Sequence, residues 1–180
     1  MKDYQASQSA RSVLVQGLQA VNPKLVRGQD CVTAAKNIRT ELKAAFPKVK
    51  FSVTSDKFAG GNAVRITYTD GPCSESVEAI CEKYQTGNFN SMEDLYEYDN
   101  DNLWTDAFGS SKYVTVNRNF SDASIAAAIE IVNAKYGETL ATVEDYRNGN
   151  CRHRPSSAMS NYDVQSLIYQ AMRIRGDQNV

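Results

Sequence analysis

The chain holds a single histidine, His153, two residues from a cysteine in Cys151-Arg152-His153-Arg154. A thiol beside an imidazole is the pair from which a thiolate nucleophile is made. The base must lie within hydrogen-bond reach of the thiol, and an i, i+2 spacing rarely sets up that geometry. The residues therefore read as a solvated basic loop. With one histidine, any mechanism that needs two is excluded. Cys31, Cys73 and Cys81 complete the cysteine set; no C-x-x-C pair and no zinc spacing is present. No metal and no cofactor is expected. P-loop, G-x-G-x-x-G, G-x-S-x-G and H-E-x-x-H patterns are absent too, so no catalytic residue is assigned and the chain is expected not to be an enzyme.

Two groups of charged residues remain. Glu93, Asp94, Glu97, Asp99, Asp101 and Asp106 lie in a stretch with no Lys or Arg from residue 84 to 111. Asp99-Asn100-Asp101-Asn102 has the look of calcium ligands, but the EF-hand glycine and the distal glutamate are missing. A second reading is a DNA-mimic surface that captures the basic site of another protein through complementary potential. The plain alternative is a solubilising loop that also packs aromatics.

The basic group gives the opposite reading. Lys36, Arg39 and Lys43 follow the three- and four-residue spacing of one helix side. Lys48, Lys50 and Lys57 flank a hairpin, and Arg147, Arg152, Arg154, Arg173 and Arg175 form a C-terminal group. If they converge they can hold phosphates with salt-dependent affinity. They could equally meet the acidic loop of a second copy. No RNP, zinc-finger, KH or helix-turn-helix signature accompanies them.

The elements that must carry these residues follow from periodicity. A first helix is expected over Ala10–Val21, stopped by Pro23. A second runs over Cys31–Phe46, with Asp30 as cap, Ala35, Ile38, Leu42 and Phe46 as apolar stripe, and Pro47 as stop. Alternation predicts strands at 49–55 and 63–69, joined through Gly60-Gly61 as an antiparallel hairpin. A third helix is expected over Glu75–Gln85, capped by Ser74 and ended by Gly87. Residues 88–111, rich in Phe, Tyr, Trp, Asn and Asp, read as an ordered loop. A third strand follows over Lys112–Phe120. A helix over Ala123–Tyr136 comes next, with Ser121 as cap and Gly137 as stop. A short helical turn near Val143–Tyr146 and a last helix over Asp163–Ile174 complete the chain. Ser160 and Asp163 have capping-box spacing.

This order predicts an α+β fold: a small antiparallel sheet, a hairpin plus a third strand, packed by helices and extended by helices at both ends. The chain has 180 residues and is expected to form one domain. No apolar run approaches the roughly 18 residues of a membrane span, and no signal pattern opens the sequence. Free thiols in a reducing cytosol are expected. The net charge of −1 conceals a dipolar distribution: the balance is +6 over residues 1–60, −8 over 61–110 and +1 over 111–180.

Several phrases carry a family resemblance. They are Phe46-Pro47-Lys48-Val49-Lys50-Phe51-Ser52-Val53, Tyr68-Thr69-Asp70-Gly71-Pro72, Phe89-Asn90-Ser91-Met92-Glu93-Asp94 and Phe108-Gly109-Ser110-Ser111-Lys112-Tyr113-Val114. Over roughly residues 32–121 the chain resembles the large polyvalent protein-associated domain, type twenty-nine, leaving flanks at 1–30 and 122–180. The resemblance implies a context of bacteriophages and conjugative elements and carries over no catalytic residue. Turn chemistry accounts for Asp70-Gly71-Pro72 by itself.

The expected function is that of a phage- or plasmid-encoded accessory protein in the host cytosol, binding nucleic acid or a nucleic-acid-handling host protein. The alternative is an acidic-faced inhibitor of a host defence enzyme, such as an anti-restriction or anti-CRISPR protein; an enzyme with an unrecognised site comes third. The candidate binding residues are Lys36, Arg39, Lys43, Lys48, Lys50, Arg152 and Arg154 on the basic side. On the acidic side they are Glu93, Asp94, Glu97, Asp99 and Asp101.

Overall fold

The computed structural model describes residues 2–136, 141–151 and 163–175, with side chains from residue 8 onward. Its elements are α1 (Lys2–Val21), α2 (Cys31–Ala45), β1 (Ser52–Phe58), β2 (Gly61–Thr69) and α3 (Ser74–Cys81), then a 3-10 turn (Glu82–Tyr84). There follow β3 (Gly87–Asn90), β4 (Leu95–Tyr98), α4 (Leu103–Phe108), β5 (Tyr113–Asn119), α5 (Asp122–Tyr136), α6 (Val143–Arg147) and α7 (Val164–Arg175). The fold is α+β. The chain divides into two units: Met1–Thr67 with Glu75–Asn117, and Tyr68–Ser74 with Arg118–Val180.

In the first unit α2 begins where Asp30 accepts the Thr33 amide at 2.7 Å, which satisfies a first-turn donor. The helix buries Cys31, Ala34, Ala35, Ile38 and Leu42. They join Val53, Val64, Ile66, Val77, Cys81, Tyr84 and Phe108 in the core of this unit. A polar residue sits among them. Asn37 is fully buried, and its amide donates to the carbonyls of Val26 and Phe108 while its oxygen accepts the Val26 amide. A mid-helix asparagine thus fastens two other segments to α2, with both its donors and its acceptor oxygen engaged inside the fold.

The hairpin is antiparallel and tight. Phe58 pairs with Gly61, so Ala59 and Gly60 alone make the reversal, and Gly60 takes φ +98°. The first strand starts later than alternation suggests, at Ser52. The Val49 amide donates to the Phe46 carbonyl, which holds that segment in a turn after α2. The three-stranded sheet has the order β1-β2-β5. The Lys112 amide meets Asn62 at one end of the β2/β5 pair, and the Asp70 amide meets the Asn119 carbonyl at the other. Those two strands therefore run parallel, and the sheet is mixed.

The expected loop at 88–111 is instead built from β3, β4 and α4. Gly87, read as a helix terminator, opens β3. A Cβ there would lie 1.9 Å from the Glu97 carbonyl oxygen, so the partner strand demands glycine. Such short strands lack a buried alternating face and exist through pairing with each other. α1 also starts earlier than expected, at Lys2.

In the second unit Ile125, Ala128, Ile129 and Val132 of α5 pack on Val164, Leu167, Ile168 and Met172 of α7, with Ala141 and Cys151. Thr142 and Asp145 form a capping box on α6. The Asp163 side chain accepts the Ser166 amide at 2.7 Å and caps α7. Gly137 and Ser160 lie outside the described residues.

Candidate binding surface

The acidic residues concentrate on the β3–β4 hairpin and the segment after it. Gly87 pairs with Tyr98, Asn88 with Glu97, Phe89 with Tyr96 and Asn90 with Leu95. Side chains directly opposite share a face, so Phe89, Tyr96 and Tyr98 lie on one side and Leu95 with Glu97 on the other. The Asn90 side chain shapes the tip, accepting the Met92 amide at 3.0 Å and donating to Glu97 at 2.7 Å. Tyr96 anchors the hairpin. Its hydroxyl lies 2.6 Å from the Lys112 carbonyl and 2.8 Å from the Gly87 carbonyl. Burial pushes its phenol up. At the hairpin's far end the Asp99 amide donates to the Thr86 carbonyl.

The outer side chains stay largely open to solvent. Met92 is 95% exposed, Tyr98 58%, Phe89 57% and Leu95 55%. Glu93, Asp94, Glu97, Asp99 and Asp101 are exposed as well. Among the described residues the only direct ion pair of these five is a 3.8 Å approach of Arg11 to Asp101. Arg11 holds Asp106 more closely, at 2.6 Å, and also donates to the Asn100 carbonyl, which fastens α1 to α4. Asp106 is thus an internal tie and not part of the displayed acidic set.

Three members of the calcium-like quartet use an oxygen within the chain. Asp99 accepts the Asp101 amide, the Asn100 carbonyl accepts Arg11, and Asn102 caps α4 at the amides of Trp104 and Thr105. Among the described residues no group of three His, Cys, Asp or Glu side chains could hold a metal ion.

The basic residues separate into two kinds. Lys36, Lys43, Lys48, Lys50 and Lys57 are exposed, and none makes a direct ion pair among the described residues. Arg39 shares their helix but donates to the Val53 carbonyl on the edge strand β1, covering an acceptor on an otherwise open edge. Arg147 grips Asp122 at 2.9 Å and the Phe120 carbonyl at 2.7 Å. Arg152, His153 and Arg154 lie outside the described residues, so the Cys151–His153 spacing has no geometry to describe. The Cys151 thiol itself is fully buried.

The cysteines form no disulfide. Cys81 is fully buried, and burial pushes its thiol up to about 12, far from a thiolate at neutral pH.

One constellation had no signal in the sequence. Glu41 on α2 receives Lys83 at 2.6 Å on one oxygen and the Tyr84 hydroxyl at 2.5 Å on the other. Lys83 also stands 4.0 Å from the Trp104 ring centroid, a cation–π contact. Burial, then the hydrogen bond to Glu41, raises the Tyr84 phenol strongly. Both carboxylate oxygens are engaged, so the cluster reads as a polar tie between α2 and the 3-10 turn.

The turn Asp70-Gly71-Pro72 has a structural part. Asp70 sits at φ +57° and accepts the Ser121 amide at 3.0 Å, at the start of α5. Arg118 donates to the carbonyls of Asp70 and Gly71. The Tyr68 hydroxyl donates to the Pro72 carbonyl.

Fold and surface define an α+β module that displays charge of both signs and exposed apolar side chains. The family model for large polyvalent protein associated domain 29 matches residues 29–121, just over half of the chain. The chain belongs to that family, one of those associated with the polyvalent proteins of phages. No curated protein and no solved structure matches it. Among the described residues no helix is long and apolar enough to cross a membrane.

Proposed function

We propose that this chain is a non-enzymatic accessory protein of a phage or related mobile element, working by binding in the host cytosol. Its target is a nucleic-acid-handling host protein. The observation that supports this reading is the display of two uncompensated fields within the family region. Lys36, Lys43, Lys48, Lys50 and Lys57 stand exposed, as do Glu93, Asp94, Glu97 and Asp99, and no direct ion pair joins the two sets. Fields left open to solvent steer association and select partners more than they stabilise a fold. Inhibition of a defence enzyme is the specific form this function takes when the captured site is the enzyme's nucleic-acid cleft.

The second reading is direct nucleic-acid binding through the lysines, favoured by their lack of ion pairs among the described residues. A gel-shift titration at two salt concentrations separates the two. Binding that weakens steeply with salt supports the lysine reading. Absence of any shift at low salt, together with retention of a host protein on the immobilised chain, supports the first. Failure of both sinks the binding function.

A further inference from the structure

We infer that the β3–β4 hairpin is a protein-docking element, and that its occupant is a basic protein surface with an apolar recess, of the kind that otherwise holds nucleic-acid phosphates. This rests on the accessory-binding reading above and names its surface and its partner.

The argument starts from exposure. Single apolar side chains scattered over a surface need no explanation, but four exposed ones on one short hairpin do. Phe89 and Tyr98 project on one face, Leu95 on the other, and Met92, 95% exposed, stands at the tip. The hairpin is meanwhile held firmly at its base. Tyr96 lies against two carbonyls, its ring is 4.8 Å from Tyr98 and 5.8 Å from Tyr113, and the Asp99 amide closes the end. A pre-ordered element costs less entropy on docking than a floppy one.

Charge selects the occupant. Glu93, Asp94, Glu97 and Asp99 surround the apolar side chains, and no Lys or Arg lies between residues 84 and 111. Phosphates would be repelled there, whereas a basic cleft gains complementary potential while its recess takes up the apolar side chains. The neighbouring cation, Lys112, is held by local partners: its ammonium donates to the Gly60 carbonyl and lies over the rings of Tyr96 and Tyr113.

The test places a photo-reactive benzophenone side chain at Met92 and, separately, at Lys43, both exposed, in the full chain incubated with host extract. The expected result is a cross-link to a basic protein from position 92 and none from position 43. The purified partner should then be displaced from the unmodified chain by double-stranded DNA. Glu97→Lys with Leu95→Ser should weaken that complex by about tenfold or more, with the thermal midpoint of the chain unchanged. Cross-linking only from position 43 overturns the hairpin as the docking element but leaves the accessory-binding function standing. A cross-link from position 92 only to a second copy of the chain, or a partner that DNA does not displace, overturns the stated occupant. No cross-link from either position, with no gel shift, overturns both readings.

Discussion

The Asp70 carboxylate accepts the Ser121 amide at 3.0 Å, joining residues 51 apart in the chain. Ser121 in turn accepts the Ser124 amide and caps α5, so the turn after β2 and the start of α5 are fixed as one piece. Asp70 holds a left-handed conformation to do this, which aspartate tolerates better than most residues. Burial pushes its carboxyl up, but the hydrogen bonds from Ser124 and Ser121 and the charge of Arg118 outweigh it. The net position is below the ordinary 3.8.

The first expectation concerns this tie. Asp70→Ala should destabilise the protein by about 1–3 kcal/mol, the cost of leaving a part-buried amide without its charged acceptor. Asp70→Asn keeps an acceptor and a tolerance for positive φ, and should cost less. Denaturant unfolding of both variants checks the order; equal losses would remove the hydrogen-bond account.

The same carboxylate sets a pH dependence. A folded-state value below the unfolded one means the stabilisation is complete above about pH 4 and is lost as pH falls through the folded value. The wild-type midpoint should drop on acidification below pH 4 more steeply than that of Asp70→Asn. Parallel acid titrations would show that the carboxylate has no part in it.

Arg39 separates a binding role from a structural one. Because its guanidinium donates to the Val53 carbonyl, Arg39→Ala should cost about 1 kcal/mol of stability. Lys43→Ala, at an exposed position with no ion pair, should stay within about 0.5 kcal/mol. If the two variants unfold alike, Arg39 belongs with the displayed charges.

Thiol reactivity reports on the cores. Cys31, Cys81 and Cys151 are each no more than 1% exposed, whereas Cys73 is partly exposed. With Cys81 pushed up to about 12, a thiol reagent at pH 8 should modify Cys73 first in the native protein. The remaining cysteines should react only on unfolding. Rapid native modification of Cys81, read by mass spectrometry, would contradict its burial.

The Glu41 tie is tested by a double-mutant cycle. Glu41→Gln leaves the Lys83 ammonium without its carboxylate and should cost about 1–3 kcal/mol, more than Tyr84→Phe, which removes only a hydroxyl. A coupling energy of about 0.5 kcal/mol or more between the two positions is expected, and strict additivity would mean that the hydrogen bond contributes nothing.

The sequence by itself determined the helices other than α4, the β1–β2 hairpin and the family region, because their signals are local. Ile38 and Leu42 repeat at the helical period, Asp30 precedes the helix it caps, and Val64, Ile66 and Tyr68 alternate toward the core. The exposure of Lys36, Lys43, Lys48, Lys50, Glu93, Asp94, Glu97, Asp99 and Asp101 was also legible, since ionised side chains are seldom buried. Asn37 was within reach, as a polar residue inside an apolar helical stripe. Tertiary structure alone decided the rest. β3 and β4 span four residues each and are stabilised by each other, so neither carries a pattern of its own. Asp106 left the displayed charges because Arg11 in another element engages it, and Arg39 is tied to the Val53 carbonyl while its side chain stays exposed. The contacts of Asp70 with Ser121 and of Glu41 with Tyr84 join residues more than forty positions apart. Their geometry is set by packing, and no short-range propensity encodes it.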